Sequence, residues 1–453
     1  MRHRLPATYL DIVKSPTVAH WFKMRTVLLA ARLFGFWNKP RPLVVDESKW
    51  TLVDEAHFSY KYIKPLTSAE KGLPELLFAN DRSAVRLPGA FKAKNTLTIG
   101  AAGDLMPAEG LQESKDVLFE NVADLLFDAD VSFANLEGPV SDTKFDINFV
   151  GGNSPHILGF TRAEFEAITS HKGRSFRILS FANNHSFDKG IEGLDTTQDM
   201  LSRYGIVALG TPAAPEEYGR ATIVTENGIR LGFVSATYSL NGLNPPPEAA
   251  YRVHVTELNV NPDLELLKLQ VMDCKRNNCD FIIASIHWGQ EAEFFPRKKQ
   301  IEIAHTLIEE GVDLILGHHP HVIQPIEYYR TKRDKDRIAV IAYSLGGLGM
   351  RWYTAPHFAL GLILKLKVSK GVVDGTERTY IESVSPVPVF QNIFVSYFGH
   401  TRIKRIEKLE DHVKNGESGA LNRYAIEIKR YADLVLPNEP IGRRKERPAV
   451  SER

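Results

Sequence analysis

The sequence predicts an α/β protein with a largely buried, mainly parallel sheet, and three observations carry that reading. Short apolar, β-branched runs recur from Asn95 to about Ser385. Helical patterns lie between them, and apolar runs alternating with helices are the signature of βα units. The composition, 43% hydrophobic and 25% charged over 453 residues, is that of a globular chain able to bury a sizeable core.

In chain order, the run Leu97 to Ala102 ends at Gly103-Asp104, and Val131 to Ala134 ends at Asn135-Leu136-Glu137. Phe176 to Ala182 ends at Asn183-Asn184-His185, and Ile206 to Leu209 stops before Gly210. Leu231 to Ala236 follows, and Phe281 to Ile286 ends at His287-Trp288. Val312 to Leu316 ends at Gly317-His318-His319-Pro320-His321, and Ile338 to Ala342 at Tyr343-Ser344-Leu345-Gly346. Helical spacing marks Gly193 to Tyr204, Asp263 to Arg276 and Lys298 to Glu310.

The flanks differ. Residues 1–94 carry several prolines and no such rhythm, which suggests an N-terminal extension ahead of a central unit over residues 95–385. Residues 386–453 read as a C-terminal helical extension and tail, with helical patterns at Ile403 to Asn415 and Gly419 to Leu436. Met24 to Trp37 is apolar but interrupted by Arg25 and Arg32. It falls short of the roughly 20 residues of a membrane span, and no cleavage site follows it. An amphipathic helix packed on the body is expected there, with peripheral membrane contact as the alternative. No integral span is expected, and a cytoplasmic location is the default.

The formal net charge is +1, so no overall field draws in nucleic acid, and no basic, aromatic-studded stripe is present. Cys274 and Cys279 are the only cysteines. They make no disulfide framework and at most half a zinc site, so they read as one buried thiol and one turn thiol.

In open α/β sheets, ligands bind beyond the carboxyl ends of the strands. Five apolar runs end in Asp, Glu, Asn or His. Carboxylates and imidazoles crowded on one edge repel or lose solvent unless a cation holds them, and a pair of divalent metals does so. Each cluster has a plainer reading. Gly-Asp is a common turn, Glu137 before Gly138 could be a solvated loop residue, and Asn183 or Asn184 could cap a helix. The three histidines after Val-Asp-Leu-Ile-Leu resist such a reading. With Pro320 holding the backbone extended, His319 and His321 should face one place and His318 should point away. Imidazole with carboxylate suits Mn, Zn, Fe, Co or Ni better than Ca.

The ordered motifs GDLM, ANLEGP, ANNHSFDKGIEGLDTT, HWGQE, LGHHPHVIQ and YSLGG resemble the CapA family of poly-γ-glutamate capsule biosynthesis proteins. The resemblance covers about Asn95 to Gly349. It implies a fold similar to calcineurin-like metallophosphoesterases, a four-layer α-β-β-α sandwich. It also implies a dinuclear site with Asp104, Glu137, Asn184, His287, His319 and His321 as metal ligands. Asn184 and His185 match the Asn-His motif, where His185 would assist at the leaving or bridging oxygen. The sequence departs from the family in two places. Met106 stands where ordinary metallophosphoesterases have a histidine, and Gly347-Leu348 replaces Asn-Phe after Tyr-Ser-Leu-Gly. The expected activity is metal-dependent hydrolysis of a phosphoester-type bond in an anionic small molecule or polymer. The alternative is a non-catalytic, polymer-binding component of poly-γ-glutamate synthesis or export.

Overall fold

The computed structural model describes residues 2–3, scattered helical positions between 18 and 33, and residues 39–42, 51–61, 64–142, 157–349, 355–395, 402–413 and 419–437. The strands are β1 (Arg2–His3), β2 (Lys92–Leu105), β3 (Val131–Leu136), β4 (Ser170–His171), β5 (Arg174–Ser175), β6 (Ile178–Ser180) and β7 (Val207–Leu209). They continue with β8 (Thr222–Glu226), β9 (Ile229–Thr237), β10 (Phe281–His287), β11 (Leu314–His318), β12 (Ile326–Arg330) and β13 (Ile338–Ala342). The last four are β14 (Gly347–Leu348), β15 (Leu360–Val373), β16 (Thr376–Val395) and β17 (Arg402–Lys408).

These strands form an α/β architecture with two main sheets. The first runs β1-β16-β15-β2-β3-β6-β7, with β14 on β2 and β17 on β16; the second runs β12-β13-β11-β10-β9-β8. Each has a parallel heart, β2-β3-β6-β7 in the first and β9-β10-β11-β13 in the second, flanked by antiparallel strands. Side chains alternate along the first sheet, so its two faces serve two cores. Phe133 and Ile178 pack with Phe233 and Ile283 of the second sheet. Their neighbours Ala134 and Leu179 pack with Phe165 of the helix Arg162–Thr169 and Leu194 of the helix Gly190–Arg203. On the second sheet, Leu267 and Val271 of the helix Glu265–Arg276 and Ile301 and Ala304 of the helix Lys298–Glu310 join the main core.

One stretch ties the sheets together. After β13 the chain crosses at Tyr343 to Gly346 and enters the first sheet as β14, where Gly347 pairs with Asp104. On the way the Leu345 N–H donates to Gly317 O (3.1 Å), and Gly346 O accepts from the Asp104 N–H (2.9 Å). The crossing backbone lies so close that a Cβ at Gly103 would strike Gly346 O and one at Gly317 would strike Tyr343 O. The residues before Asp104 and His318 must therefore be glycine.

Two expectations change. Ile403 to Asn415 is not a helix: Arg402–Lys408 is β17, paired with β16, followed by a short 3-10 turn at Leu409–His412. Edge pairing to a long neighbour overrides the local helical pattern. Because β16 runs through residues 385 and 386, the first sheet continues past the expected boundary. The helix Ala420–Val435 forms as expected and buries Ala425, Ile428 and Val435 in the main core. Within Met24 to Trp37, the described Leu29 and Leu33 are 59% and 71% exposed, and most of that segment, with the packing expected of it, lies outside the described residues. No helix among the described residues is long and apolar enough to cross a membrane. The helix Leu52–Lys61 is anchored: buried Lys61 Nζ meets Glu293 Oε1 at 2.9 Å, and Arg297 donates to both oxygens of the same carboxylate.

Candidate metal centre

Parallel strands share a carboxyl edge, and the predicted residues gather there. Asp104 lies near the end of β2, Glu137 follows β3, Asn184 and His185 follow β6, His287 closes β10, and His319 and His321 follow β11. All are buried.

Asp104 is the hub of the hydrogen bonding. Its Oδ1 accepts from Asn135 Nδ2 (2.9 Å) and meets His318 Nδ1 (3.1 Å). Its Oδ2 accepts from the His319 N–H (3.1 Å) and meets His321 Nδ1 (3.1 Å). Burial alone would raise the Asp104 pKa, but His318 and His321 outweigh it and hold the carboxyl well below the usual range.

Glu137 is the opposite case. It is fully buried, and neither carboxylate oxygen has a hydrogen-bond partner among the described residues. The nearest imidazole nitrogens, His321 Nε2 and His287 Nε2, stand off at 3.5 and 3.8 Å. Burial, reinforced by the Asp104 charge, pushes its pKa well up. An ionised carboxylate left this way is costly unless a cation meets it. Ligand atoms of Glu137, His287 and His319 lie within 4.8 Å of one another, and so do those of Asp104, Glu137 and His321. Glu137 belongs to both groups, and the mixed carboxylate–imidazole donor set fits a divalent transition metal.

The histidines divide by charge. Burial, with neighbouring imidazoles, holds His287 and His319 well below their usual pKa, in the neutral form that binds metal. Burial also pulls His321 down, but Glu137 and Asp104 prevail and push it up to about 10.

Asn184 Nδ2 donates to Asn241 Oδ1 (3.0 Å), which turns its own Oδ1 toward His287 Nε2 (2.8 Å). His185 Nδ1 sits 2.7 Å from Asp188 Oδ2, an oxygen that also accepts from the Leu158 N–H (2.6 Å). Neither asparagine caps a helix: the helix Gly190–Arg203 has Lys189 at its N-cap with no side-chain cap, and Asn183 Oδ1 instead accepts from the His185 N–H (3.1 Å) within the turn ahead of it.

Two details overturn the expected geometry of the triple-histidine segment. His318 does not point away; it is buried against Asp104. The backbone is not extended there either, since His319 and His321 have φ of +95° and +56°. A turn brings the two rings to 5.9 Å between centroids. It is pinned by the His319 N–H on Asp104 and by Pro320 O accepting from the Ala292 N–H at 2.9 Å.

The sequence reading gives no role to Asp188 or Glu291, although both lie in its motifs, and does not single out Asn241 or Tyr238. Glu291 forms a third ligand group with His319 and His321. The Tyr238 ring lies 4.8 Å from His319 and nearly parallel to His287. Glu291 stood within a motif already noted, HWGQE. Tyr238 and Asn241 follow β9, whose run ends in no ligand, so nothing in the pattern flagged them.

Residues 98–349 match the model of a family described as bacterial capsule synthesis protein PGA_cap. The chain is 27% identical over 276 residues to capsule biosynthesis protein CapA of Bacillus anthracis, covering 58% of this chain and 62% of that protein. It is 26% identical over 258 residues to PGA biosynthesis protein CapA of Bacillus subtilis, covering 56% and 63%. The matches thus span less than two thirds of these relatives. Among solved structures, the calcineurin-like phosphoesterase YfkN of Bacillus subtilis aligns at 12% identity over 75% of this chain and 98% of that one, with a TM-score of 0.34.

Proposed function

The chain belongs to the PGA_cap family of bacterial capsule synthesis proteins, and from that premise we propose that its buried cluster holds two divalent cations and hydrolyses a phosphoester-type bond during capsule or poly-γ-glutamate synthesis. Glu137 carries the reading: it is a fully buried carboxylate without a donor, shared by two ligand groups. When bound, such a pair supplies Lewis acidity and lowers the pKa of water at the site.

The chain's own groups have distinct tasks in this reading. Asp104 and Glu137 provide negative charge, and Asp104 also fixes the orientation of His318 and His321. His287 and His319 provide neutral nitrogens. Asn184 offers its amide oxygen because Asn241 holds the amide nitrogen. Asp188 fixes the His185 ring through Nδ1, leaving Nε2 to give a proton to the departing oxygen.

Metal analysis of purified protein, with hydrolysis of bis(4-nitrophenyl) phosphate under each candidate cation, tests this. The wild type should hold two cations per chain and turn over, and His319→Ala should lose both properties. Bound metal with no turnover under any cation, combined with retention of poly-γ-glutamate, would assign a polymer-holding role instead.

A further inference from the structure

At the edge of the second sheet opposite the metal cluster, the way one helix ends brings two thiols together. The helix Glu265–Arg276 closes with Asn278 at φ +54°. The Asn278 N–H donates to Lys275 O and the Cys279 N–H to Cys274 O, both at 3.0 Å. This pair of bonds is a Schellman closure, which sets the side chains of the residues joined by its outer bond against each other. An apolar contact usually fills that place; here both residues are cysteines.

The sulfurs converge over Gly232 of β9. A Cβ on that glycine would lie 2.5 Å from Cys274 Sγ and 3.0 Å from Cys279 Sγ, so both thiols occupy the space its missing side chain leaves. Gly232 pairs with Ile282 at the start of β10, whereas the cluster lies beyond His287 at its end. Both thiols are free, with Cys274 buried and Cys279 half-buried. The hydrogen bond from Cys274, aided by the Arg230 guanidinium, lowers the Cys279 thiol below its usual range. The same bond, with burial, pushes Cys274 up.

We propose that Cys279 and Cys274 form a thiol–disulfide exchange site for low-molecular-weight disulfides of the glutathione class, with Cys279 attacking and Cys274 resolving. The Cys279 thiolate attacks one sulfur of the small disulfide, forms a mixed disulfide and expels one thiolate. Cys274 then gives up its proton and attacks Cys279 Sγ, which forms the intramolecular bond and expels the second thiolate. The protein loses two electrons and two protons, and the small disulfide becomes two thiols. The product ties the last turn of the helix to the entry of β10 and uses none of the cluster's ligands.

The full-length chain is incubated with oxidised glutathione and examined by mass spectrometry. The wild type should lose two hydrogens, carry no adduct and recover with dithiothreitol. Cys274→Ser should keep one glutathione, on Cys279, and Cys279→Ser should remain unmodified. An adduct on Cys274, or a wild type that keeps both thiols, overturns the proposal. Brief iodoacetamide treatment of the folded wild type needs no variant: Cys279 should alkylate before Cys274, and the reverse order is equally fatal.

Discussion

The first sheet brings Asp104, Glu137 and Asn184 to the shared edge, all oxygen donors, while the second brings His287, His319 and His321, all nitrogen donors. Two of the oxygen donors, Asp104 and Glu137, are acids and Asn184 is a neutral amide, while burial holds the imidazoles of His287 and His319 in their neutral form. Neither sheet alone holds a cluster's worth of ligands of both kinds. The difference teaches where the electrostatic burden falls. At Glu137 the first sheet buries a carboxyl with no hydrogen-bond partner among the described residues, and burial pushes its pKa well up, so its ionised form is the costly one that a cation would offset.

The largest effect expected from breaking that division comes from Glu137→Gln. It removes the one ligand common to both groups, so metal analysis should find neither cation retained. The metal-free melting temperature should rise, because a buried carboxylate without a donor is gone, while the melting increment from added metal should vanish. Unchanged cation content would break the comparison. Next come Asp104→Asn and His287→Ala, one from each sheet, each removing a ligand from a single group. Each should keep one cation of the two. Asp104→Asn should also weaken the metal-free fold, by about 1–3 kcal/mol in denaturant titration, because His318, His321 and the His319 N–H lose a charged acceptor. A smaller loss is expected from Asn241→Ala, which touches neither carboxylate nor imidazole. Freeing the Asn184 amide should weaken cation affinity roughly tenfold to a hundredfold by calorimetry, with the melting temperature nearly unchanged.

The smallest effect asks whether burial of charge in the first sheet is confined to the site. Lys404 on β17 is fully buried, and burial lowers its pKa from 10.5 to about 7. Between those values the unfolded chain binds a proton that the folded chain does not, so stability rises with pH over that window. Lys404→Met should flatten the rise, with its gain in melting temperature greatest at pH 7 or below and fading toward pH 10.5. A gain independent of pH would trace the effect to packing instead of charge.

Much of this was legible in the residues themselves. The parallel hearts of both sheets are covered on both faces, so their strands read as unbroken apolar runs ending in polar clusters. The antiparallel strands β15, β16 and β17 did not show, because Lys365, Lys367 and Glu382 interrupt the apolar signal and β17 is fixed by its partner. The six ligand candidates came from strand ends and family motifs, and the fold brings them to one edge. His318 was misjudged because an extended backbone was assumed where two residues take positive φ. Asn241 and Asp188 act through side-chain hydrogen bonds that no strand-end pattern encodes.

The stretch from Tyr343 to Leu348 has little slack, being bonded to Gly317 on one side and to Asp104 on the other. The two halves of the molecule cannot gape at this edge without tearing backbone bonds in both. Whatever reaches the cluster must therefore fit a mouth that parting of the two sheets cannot widen.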